Sequence, residues 1–218
     1  EQAKKLYPKI EILPSHPVFT VKSTGRYKHR QVAGASKQIT VHQEVYAPTI
    51  RLNTVKLLMA AATQKGWYTW IADFSNAYLH ADLPKDKSIG ITFRDRGLLQ
   101  IVADLIPKHL VDEGGVVKQG VVGVLNKSLY GLANAGKLWG DLLTKTLKNM
   151  GFTRCTLDPC LYFNMNYHGA KIYICVFVDD LAGFSTGQKS WLKLIDSLRK
   201  QGFTLTNEVM KSFLGANI

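Results

Sequence analysis

Two adjacent carboxylates, Asp179 and Asp180, stand between two apolar segments of the chain. Residues 172–178 before them carry no charge and are rich in β-branched and aromatic types, which predicts a buried strand. Residues 181–184 predict the strand that returns beside it, so the two acids form the tip of a buried hairpin. Because burying a carboxylate is costly unless it is paired or binds a metal, this tip indicates a cation site. A plain polar turn is the alternative interpretation.

A third acid, Asp73, ends another apolar and aromatic segment, residues 67–72. In a sheet with helices packed on one face, this strand end can lie beside the hairpin tip. Three carboxylates without His or Cys offer only oxygen ligands, which suits Mg²⁺. Two such ions about 3.5–4 Å apart can activate a hydroxyl nucleophile and stabilise a leaving pyrophosphate. This chemistry favours nucleotide polymerisation, and a two-metal nuclease is the weaker alternative.

The composition indicates a polyanionic partner. Lysine and arginine number 28 against 16 acidic residues, which gives a net charge of +12. A balance this basic favours nucleic acid over a membrane surface. The sequence RYKHR, residues 26–30, lies between predicted strands at 18–22 and 39–45, where alternating basic and aromatic side chains could meet phosphates. A solvated charged hairpin is the alternative there.

The three cysteines lack CxxC spacing and nearby histidines, which argues against a zinc site and against a disulfide framework. We therefore expect a reducing, intracellular setting, in the first place the cytoplasm, with an organelle as the alternative. No window approaches the roughly 18–20 apolar residues that a membrane span needs, and the first residues do not form a signal peptide. The chain begins with Glu1 rather than Met, which suggests a fragment of a longer protein.

The elements that must position these acids follow from periodicity and turn residues. A helix is predicted at 53–66, capped by Asn53 or Thr54 and ended by Gly66, and two more at 138–150 and 191–198. Strands are predicted at 158–167 and 171–178 around the turn His168–Gly169, and at 203–205 and 213–218. Residues 85–124 form a connector with short strands at 89–93, 98–105 and 116–124. The fold class is α+β.

Six segments resemble, in order and spacing, the reverse transcriptases of copia-type LTR retrotransposons. They are EVYAPTIRLNTVKLLMAAATQKGW, DFSNAYLHADL, LNKSLYGLANAGKLW, DPCLYF, VFVDDL and SFLGANI, and the similarity spans residues 18–218. The resemblance implies an RNA-directed DNA polymerase with a right-hand fold. The palm would be an antiparallel sheet with helices on one face, and the thumb would be absent. Fingers would comprise residues 1–66 and 85–133, and palm residues 67–84 and 134–218.

The resemblance also assigns roles residue by residue. Asp73, Asp179 and Asp180 match the metal-binding carboxylates, which implies two Mg²⁺ ions, with Mn²⁺ as a substitute. Tyr78 matches the aromatic gate that excludes a 2′-hydroxyl. The residues that match contacts to the incoming nucleotide are Lys28, Arg30 and Asn134. The residues that match contacts to the primer and template are Phe177, Val178, Phe213, Leu214 and Gly215. The implied partners are an RNA template, a DNA primer, dNTP and other polyprotein domains.

The chain also departs from the pattern it resembles. Ala133 and Asn134 stand where the family usually has Lys-Gln, whose Gln contacts the nucleotide. The family's Pro-Pro-Gly has no clear match near residues 91–97. These departures leave a second hypothesis open, in which a captured domain of this kind serves as a structural or RNA-binding subunit of a larger ribonucleoprotein.

Overall fold

The computed structural model describes residues 2–21, 25–34, 45–93, 106–114, 118 and 120–217. Within them the helices are α1 (Gln2–Leu6), α2 (Leu52–Lys65), α3 (Ala135–Asn149) and α4 (Gln188–Lys200). The strands are β1 (Glu11–Val21), β2 (Tyr27–Ala33), β3 (Tyr68–Phe74), β4 (Ile89–Phe93), β5 (Val122–Val124), β6 (Thr153–Arg154), β7 (Leu161–Tyr167), β8 (Ala170–Phe177), β9 (Asp180–Ser185), β10 (Leu205–Val209), β11 (Ser212–Phe213) and β12 (Ala216–Asn217).

The chain forms two compact units that alternate along the sequence. The first unit comprises Glu1–Val45 and Ala81–Leu138, and the second comprises Tyr46–His80 and Trp139–Ile218. Residues 46–66 lie in the second unit together with β3. The division into fingers and palm stays a prediction.

The first unit contains a sheet in the order β2-β1-β4-β5. Strands β1 and β4 run parallel, and the other neighbours are antiparallel. The basic segment predicted to lie between two strands is itself strand β2, and its partner β1 begins at Glu11, well before the predicted start. Pro14 and Pro17 lie inside β1, although prolines usually argue against a strand. The strand was therefore predicted to start only at residue 18. Residues 39–44 lie outside the described residues.

The second unit contains an antiparallel sheet in the order β10-β3-β9-β8-β7-β6. Helix α4 contacts β8, β9 and β10, and its Trp191 lies so close to Gly183 that an added Cβ atom would overlap the indole. Helix α2 also contacts β9. Ala182 and Phe184, which alternate with Gly183 along the strand, are fully buried too. Strand β9 is therefore buried on both faces.

Helix α2 starts in a way that the sequence did not indicate. Neither Asn53 nor Thr54 caps it as predicted. The carboxylate of Asp158, far along the chain, accepts hydrogen bonds from the backbone N–H of Arg51 at 3.1 Å and from the hydroxyl of Thr54 at 2.6 Å. The predicted end is confirmed, because Gly66 adopts the left-handed conformation with φ of 63°.

The remaining elements follow the predictions with shifted ends. The hairpin turn at His168 and Gly169 between β7 and β8 is confirmed, with positive φ at both residues. The strand predicted at 203–205 lies instead at Leu205–Val209, and the last predicted strand is a small hairpin of β11 and β12. Of the strand predicted at 116–124, Val122–Val124 is observed, and residues 98–105 lie outside the described residues.

Candidate active site

Asp73 and Asp180 lie directly opposite each other on the neighbouring strands β3 and β9. Along β3 the side chains alternate, so that Ala72 and Phe74 are buried while Asp73 is exposed. Asp180 is the first residue of β9, where the chain re-enters the sheet from the hairpin tip. The prediction that the end of one strand meets the tip of another hairpin is therefore confirmed for this pair.

The hairpin tip is a two-residue turn, Val178 and Asp179, between the paired residues Phe177 and Asp180. Val178 has a φ of 57°, a conformation that β-branched residues rarely adopt. Two hydrogen bonds hold the turn from outside the hairpin. The indole Nε1–H of Trp139 donates to the carbonyl of Val178 at 2.7 Å, and the backbone N–H of Phe74 donates to the carbonyl of Asp179 at 2.9 Å.

The two opposed carboxylates interact with each other electrostatically. Burial, followed by the charges of Asp179 and Asp73, raises the pKa of Asp180 from 3.8 to about 6. A hydrogen bond between the Asp180 and Asp73 side chains acts in the same direction. Like charges held this close favour one shared proton or a bound cation. A cation near the pair would lower this pKa and restore both charges.

The donor set fits a hard divalent cation. Asp73, Asp179 and Asp180 supply carboxylate oxygens, the ligands that Mg²⁺ prefers. Across the described residues, no three His, Cys, Asp or Glu side chains converge closely enough to hold an ion by themselves. Mg²⁺ usually binds proteins through one or two carboxylates and completes its shell with water and substrate phosphates, so the opposed pair is compatible with this ion.

An open pocket of about 220 Å³ lies beside the opposed pair. Phe213 and Leu214, predicted to contact the primer, line this pocket together with the two acids. Gly215 follows them in the β11–β12 turn with a φ of 77°. The pocket is lined by Ile71, Ala72, Asp73, Asp180, Thr206, Glu208, Ser212, Phe213 and Leu214. The structure thus brings two of the three predicted carboxylates, Asp73 and Asp180, and part of the predicted primer segment to one place.

Two lining residues, Thr206 and Glu208, were missed in the sequence. They lie on β10, where Thr206 is the direct neighbour of Asp73 and Glu208 that of Ile71. Both are exposed and alternate with residues turned to the other face. The alternation in LTNEV was the available signal, but the strand had been predicted to end at Leu205.

Tyr78, the predicted gate, lies in a single turn of 3-10 helix, Ala77–His80, that follows β3. Its ring is partly buried against the core of the second unit. Phe177, predicted to line the site, is the strand partner of Asp180. The structure therefore places both residues on chain segments next to the carboxylates, and their roles stay predictions.

The predicted nucleotide contacts Lys28, Arg30 and Asn134 lie in the first unit. The guanidinium of Arg30 lies over the ring of Tyr130, 4.9 Å from its centre. Its Nε atom is buried without a hydrogen-bond partner, and so is the side-chain oxygen of Asn134, a residue only 5% exposed. Buried polar atoms without partners are uncommon, and they are explained by strain, by a functional role or by a bound water or ion. Both residues therefore have hydrogen-bonding capacity left for a ligand.

An antiparallel sheet with opposed carboxylates at a hairpin tip is a polymerase-type arrangement, and comparison with known families defines it further. The sequence model of the family described as reverse transcriptase (RNA-dependent DNA polymerase) matches residues 6–93 and 109–218. The chain belongs to this family. Its relatives place it more narrowly, among the reverse transcriptase domains of copia-type retrotransposons.

The curated relatives include the Transposon Ty1-ER2 and Ty1-H Gag-Pol polyproteins of Saccharomyces cerevisiae, each 27% identical over 99% of this chain. The truncated Ty1-A Gag-Pol polyprotein is also 27% identical. The chain spans 11% of the length of the first two and 17% of the third. Among solved structures, apo telomerase from Candida tropicalis is similar over 92% of this chain and 51% of the telomerase chain, with 10% identity and a TM-score of 0.37. Among the described residues, no helix is long and apolar enough to cross a membrane.

Proposed function

We propose that the chain is the RNA-directed DNA polymerase domain of a retrotransposon polyprotein, which transfers nucleotides from dNTP to the 3′-hydroxyl of a DNA primer on an RNA template. The observation that carries this proposal is the opposed pair of Asp73 and Asp180 beside the pocket that Phe213 and Leu214 line. Membership of the reverse transcriptase family supports the same reaction.

The carboxylates of Asp73, Asp179 and Asp180 would hold Mg²⁺, or Mn²⁺ in its place. When bound, two such ions activate the primer hydroxyl and stabilise the leaving pyrophosphate. The chain's contribution is to fix these oxygens at one end of the sheet. Because the pKa of Asp180 is about 6 without a cation, this carboxyl is mostly ionised above neutral pH.

The first unit would supply the contacts to the nucleotide. Lys28 and Arg30 lie two residues apart on β2, so that both side chains point to the same face of the strand. A guanidinium is planar and presents its N–H donors as a rigid fork, which suits the oxygens of a triphosphate, and contact with an aromatic ring restricts its orientation. The amide of Asn134 would contact the same nucleotide, with a side chain one methylene shorter than the family's usual Gln.

The assay is primer extension on an RNA template with Mg²⁺. Asp73→Asn and Asp179→Asn are each expected to lower kcat at least 100-fold, because either change removes a charged ligand. Asp82→Asn serves as the matched control, because Asp82 is an exposed acid that pairs with Lys127 at 2.8 Å. Extension by Asp179→Asn at the parent's rate would exclude the catalytic assignment.

The gate role of Tyr78 is tested separately. Tyr78→Ala is expected to raise incorporation of ribonucleotides relative to deoxynucleotides, because the smaller side chain leaves room for a 2′-hydroxyl. Tyr68→Ala provides the control, since Tyr68 lies at the opposite end of β3. An unchanged ratio in Tyr78→Ala would show that this ring does not select the sugar.

A second candidate function rests on Ala133 and Asn134, which replace the family's Lys-Gln. In this alternative the domain binds RNA as a structural subunit of a ribonucleoprotein and turns over no nucleotide. RNA binding that Asp73→Asn and Asp179→Asn leave unchanged, without primer extension by the parent, would favour this role. Restoration of extension by Asn134→Gln would instead assign the defect to the shortened amide.

A further inference from the structure

The hairpin tip holds the carboxylates in a backbone conformation that its own sequence does not favour. Val178 adopts a φ of 57°, a position in a two-residue turn where glycine or asparagine is usual. A β-branched residue there clashes with the neighbouring backbone, and such conformations persist only where surrounding groups impose them. The turn between Phe177 and Asp180 therefore depends on restraints from outside the hairpin.

The restraints come from one aromatic cluster in the second unit. Trp139 is only 1% exposed, and its indole N–H donates to the carbonyl of Val178 at 2.7 Å. The same indole and the ring of Phe74 pack edge to face, with 4.9 Å between ring centres. The backbone N–H of Phe74 in turn donates to the carbonyl of Asp179. Trp139 thus contacts both the turn that carries Asp179 and the residue that follows Asp73.

We propose that Trp139 is a positioning residue, whose indole N–H holds the Val178 carbonyl and thereby keeps Asp179 and Asp180 in register with Asp73 for cation binding. The inference rests on the proposed function in so far as these carboxylates are the cation ligands. Without the indole N–H, the carbonyl of Val178 loses its partner and the turn can relax to a conformation with negative φ. The carboxylates of Asp179 and Asp180 are then no longer held at their present positions relative to Asp73.

The fold provides a matched control for this bond. Trp191 is also fully buried, and its indole N–H donates to the side-chain oxygen of Asn207 at the same distance, 2.7 Å. That bond joins helix α4 to strand β10 and does not touch the hairpin tip. Trp139→Phe and Trp191→Phe therefore each remove one buried indole hydrogen bond and keep an aromatic ring. They differ in whether the hairpin tip loses a restraint.

The first measurement is the affinity for Mn²⁺ without nucleotide or nucleic acid, followed by electron paramagnetic resonance. We expect Trp139→Phe to weaken Mn²⁺ binding about 10-fold or more, as the loss of outer-shell partners of a metal site typically does, and Trp191→Phe to stay within about 2-fold of the parent. The Mg²⁺ concentration for half-maximal primer extension should shift in the same way. An isosteric benzothienylalanine at position 139, which lacks the N–H but keeps the shape, provides a second variant if phenylalanine perturbs folding.

The outcomes separate this inference from the proposed function. If the parent binds Mn²⁺ and Trp139→Phe weakens it selectively while no variant extends a primer, the polymerase proposal fails and the positioning role stands. Equal Mn²⁺ affinity in the parent and in both position-139 variants, including no binding in any of them, overturns the positioning role. Equal weakening by the position-139 and position-191 changes overturns it too, because this would reflect a general loss of packing.

Discussion

Replacing Asp180 with asparagine is expected to stabilise the cation-free chain while it removes polymerase activity. In the parent, Asp180 is partly buried, which disfavours its charge, and it also faces the charges of Asp179 and Asp73. Asparagine keeps the size of the side chain and can donate a hydrogen bond to Asp73, but it carries no charge. The substitution therefore removes repulsion in the folded state without opening a cavity.

The expected gain in stability follows from the pKa of Asp180, which rises from 3.8 to about 6 on folding. That difference corresponds to about 3 kcal/mol of destabilisation once the side chain is fully ionised. Solvent screens part of the repulsion because the carboxyl is only partly buried, so we expect a gain of about 1–2 kcal/mol for the variant. For a chain of this size, this raises Tm by about 2–8 °C.

The direction of the pKa shift determines the pH range over which Asp180→Asn becomes more stable than the parent. The folded state binds the Asp180 proton more tightly than the unfolded chain does. The parent therefore loses stability as pH rises from about 4 through about 6, and the advantage of Asp180→Asn grows over the same interval. Thermal melts with EDTA at pH 4.5 and pH 7.5 measure it. Asp196→Asn is the control, because Asp196 is an exposed acid beside Arg199 and its loss should change the free energy of unfolding by at most about 0.5 kcal/mol.

The same thermal melts are then repeated with Mg²⁺ in place of EDTA. Mg²⁺ should raise the Tm of the parent and leave that of Asp180→Asn nearly unchanged, because the variant lacks a ligand charge. A variant that is less stable than the parent at pH 7.5 in EDTA, or equally advantaged at both pH values, would refute the argument that the partly buried, repelled charge of Asp180 destabilises the fold.

Three further substitutions test the packing around the site. Asp158→Ala should lower the free energy of unfolding by about 2–4 kcal/mol in urea titrations, because the buried carboxylate accepts hydrogen bonds from the Arg51 amide, the Thr54 hydroxyl and the Cys160 amide. An equally large loss in Thr54→Ala, which removes only one of these bonds, would contradict this explanation. Gly183→Ala should cost at least about 1–3 kcal/mol, since its Cβ would overlap Trp191. Gly140→Ala, in α3 with open space around it, should instead gain about 0.5–1 kcal/mol, and thermal melts that show the same sign for both glycines would contradict the packing argument.

Local patterns in the sequence were sufficient to place the opposed acids. Both Asp73 and Asp180 interrupt apolar segments, and the alternation of buried and exposed positions along β3 fixes the face on which Asp73 lies. Helix ends marked by glycine were also predictable, because the left-handed conformation at Gly66 is a property of one residue. These features depend on neighbours within a few positions of the chain.

Features that depend on distant partners could not be predicted. The cap of α2 comes from Asp158, the carbonyl of Val178 is held by Trp139, and Thr206 reaches the site only because β10 pairs with β3. Nothing in the local sequence of the recipient segment indicates any of these partners. The start of β1 could not be predicted for a related reason. Whether a strand tolerates a proline depends on which backbone N–H groups its neighbouring strands need as hydrogen-bond donors.

The order in which the strands pair has a consequence for how the site assembles. The β8–β9 hairpin joins residues that are close in the chain, so it can form within about 1–10 μs. Asp73 and Asp180 lie more than a hundred positions apart, and their strands can pair only after a long loop closes. During synthesis Asp73 emerges long before its partner strand exists. Any break in translation or proteolytic cut that removes the later strand leaves a chain with half of the carboxylate pair.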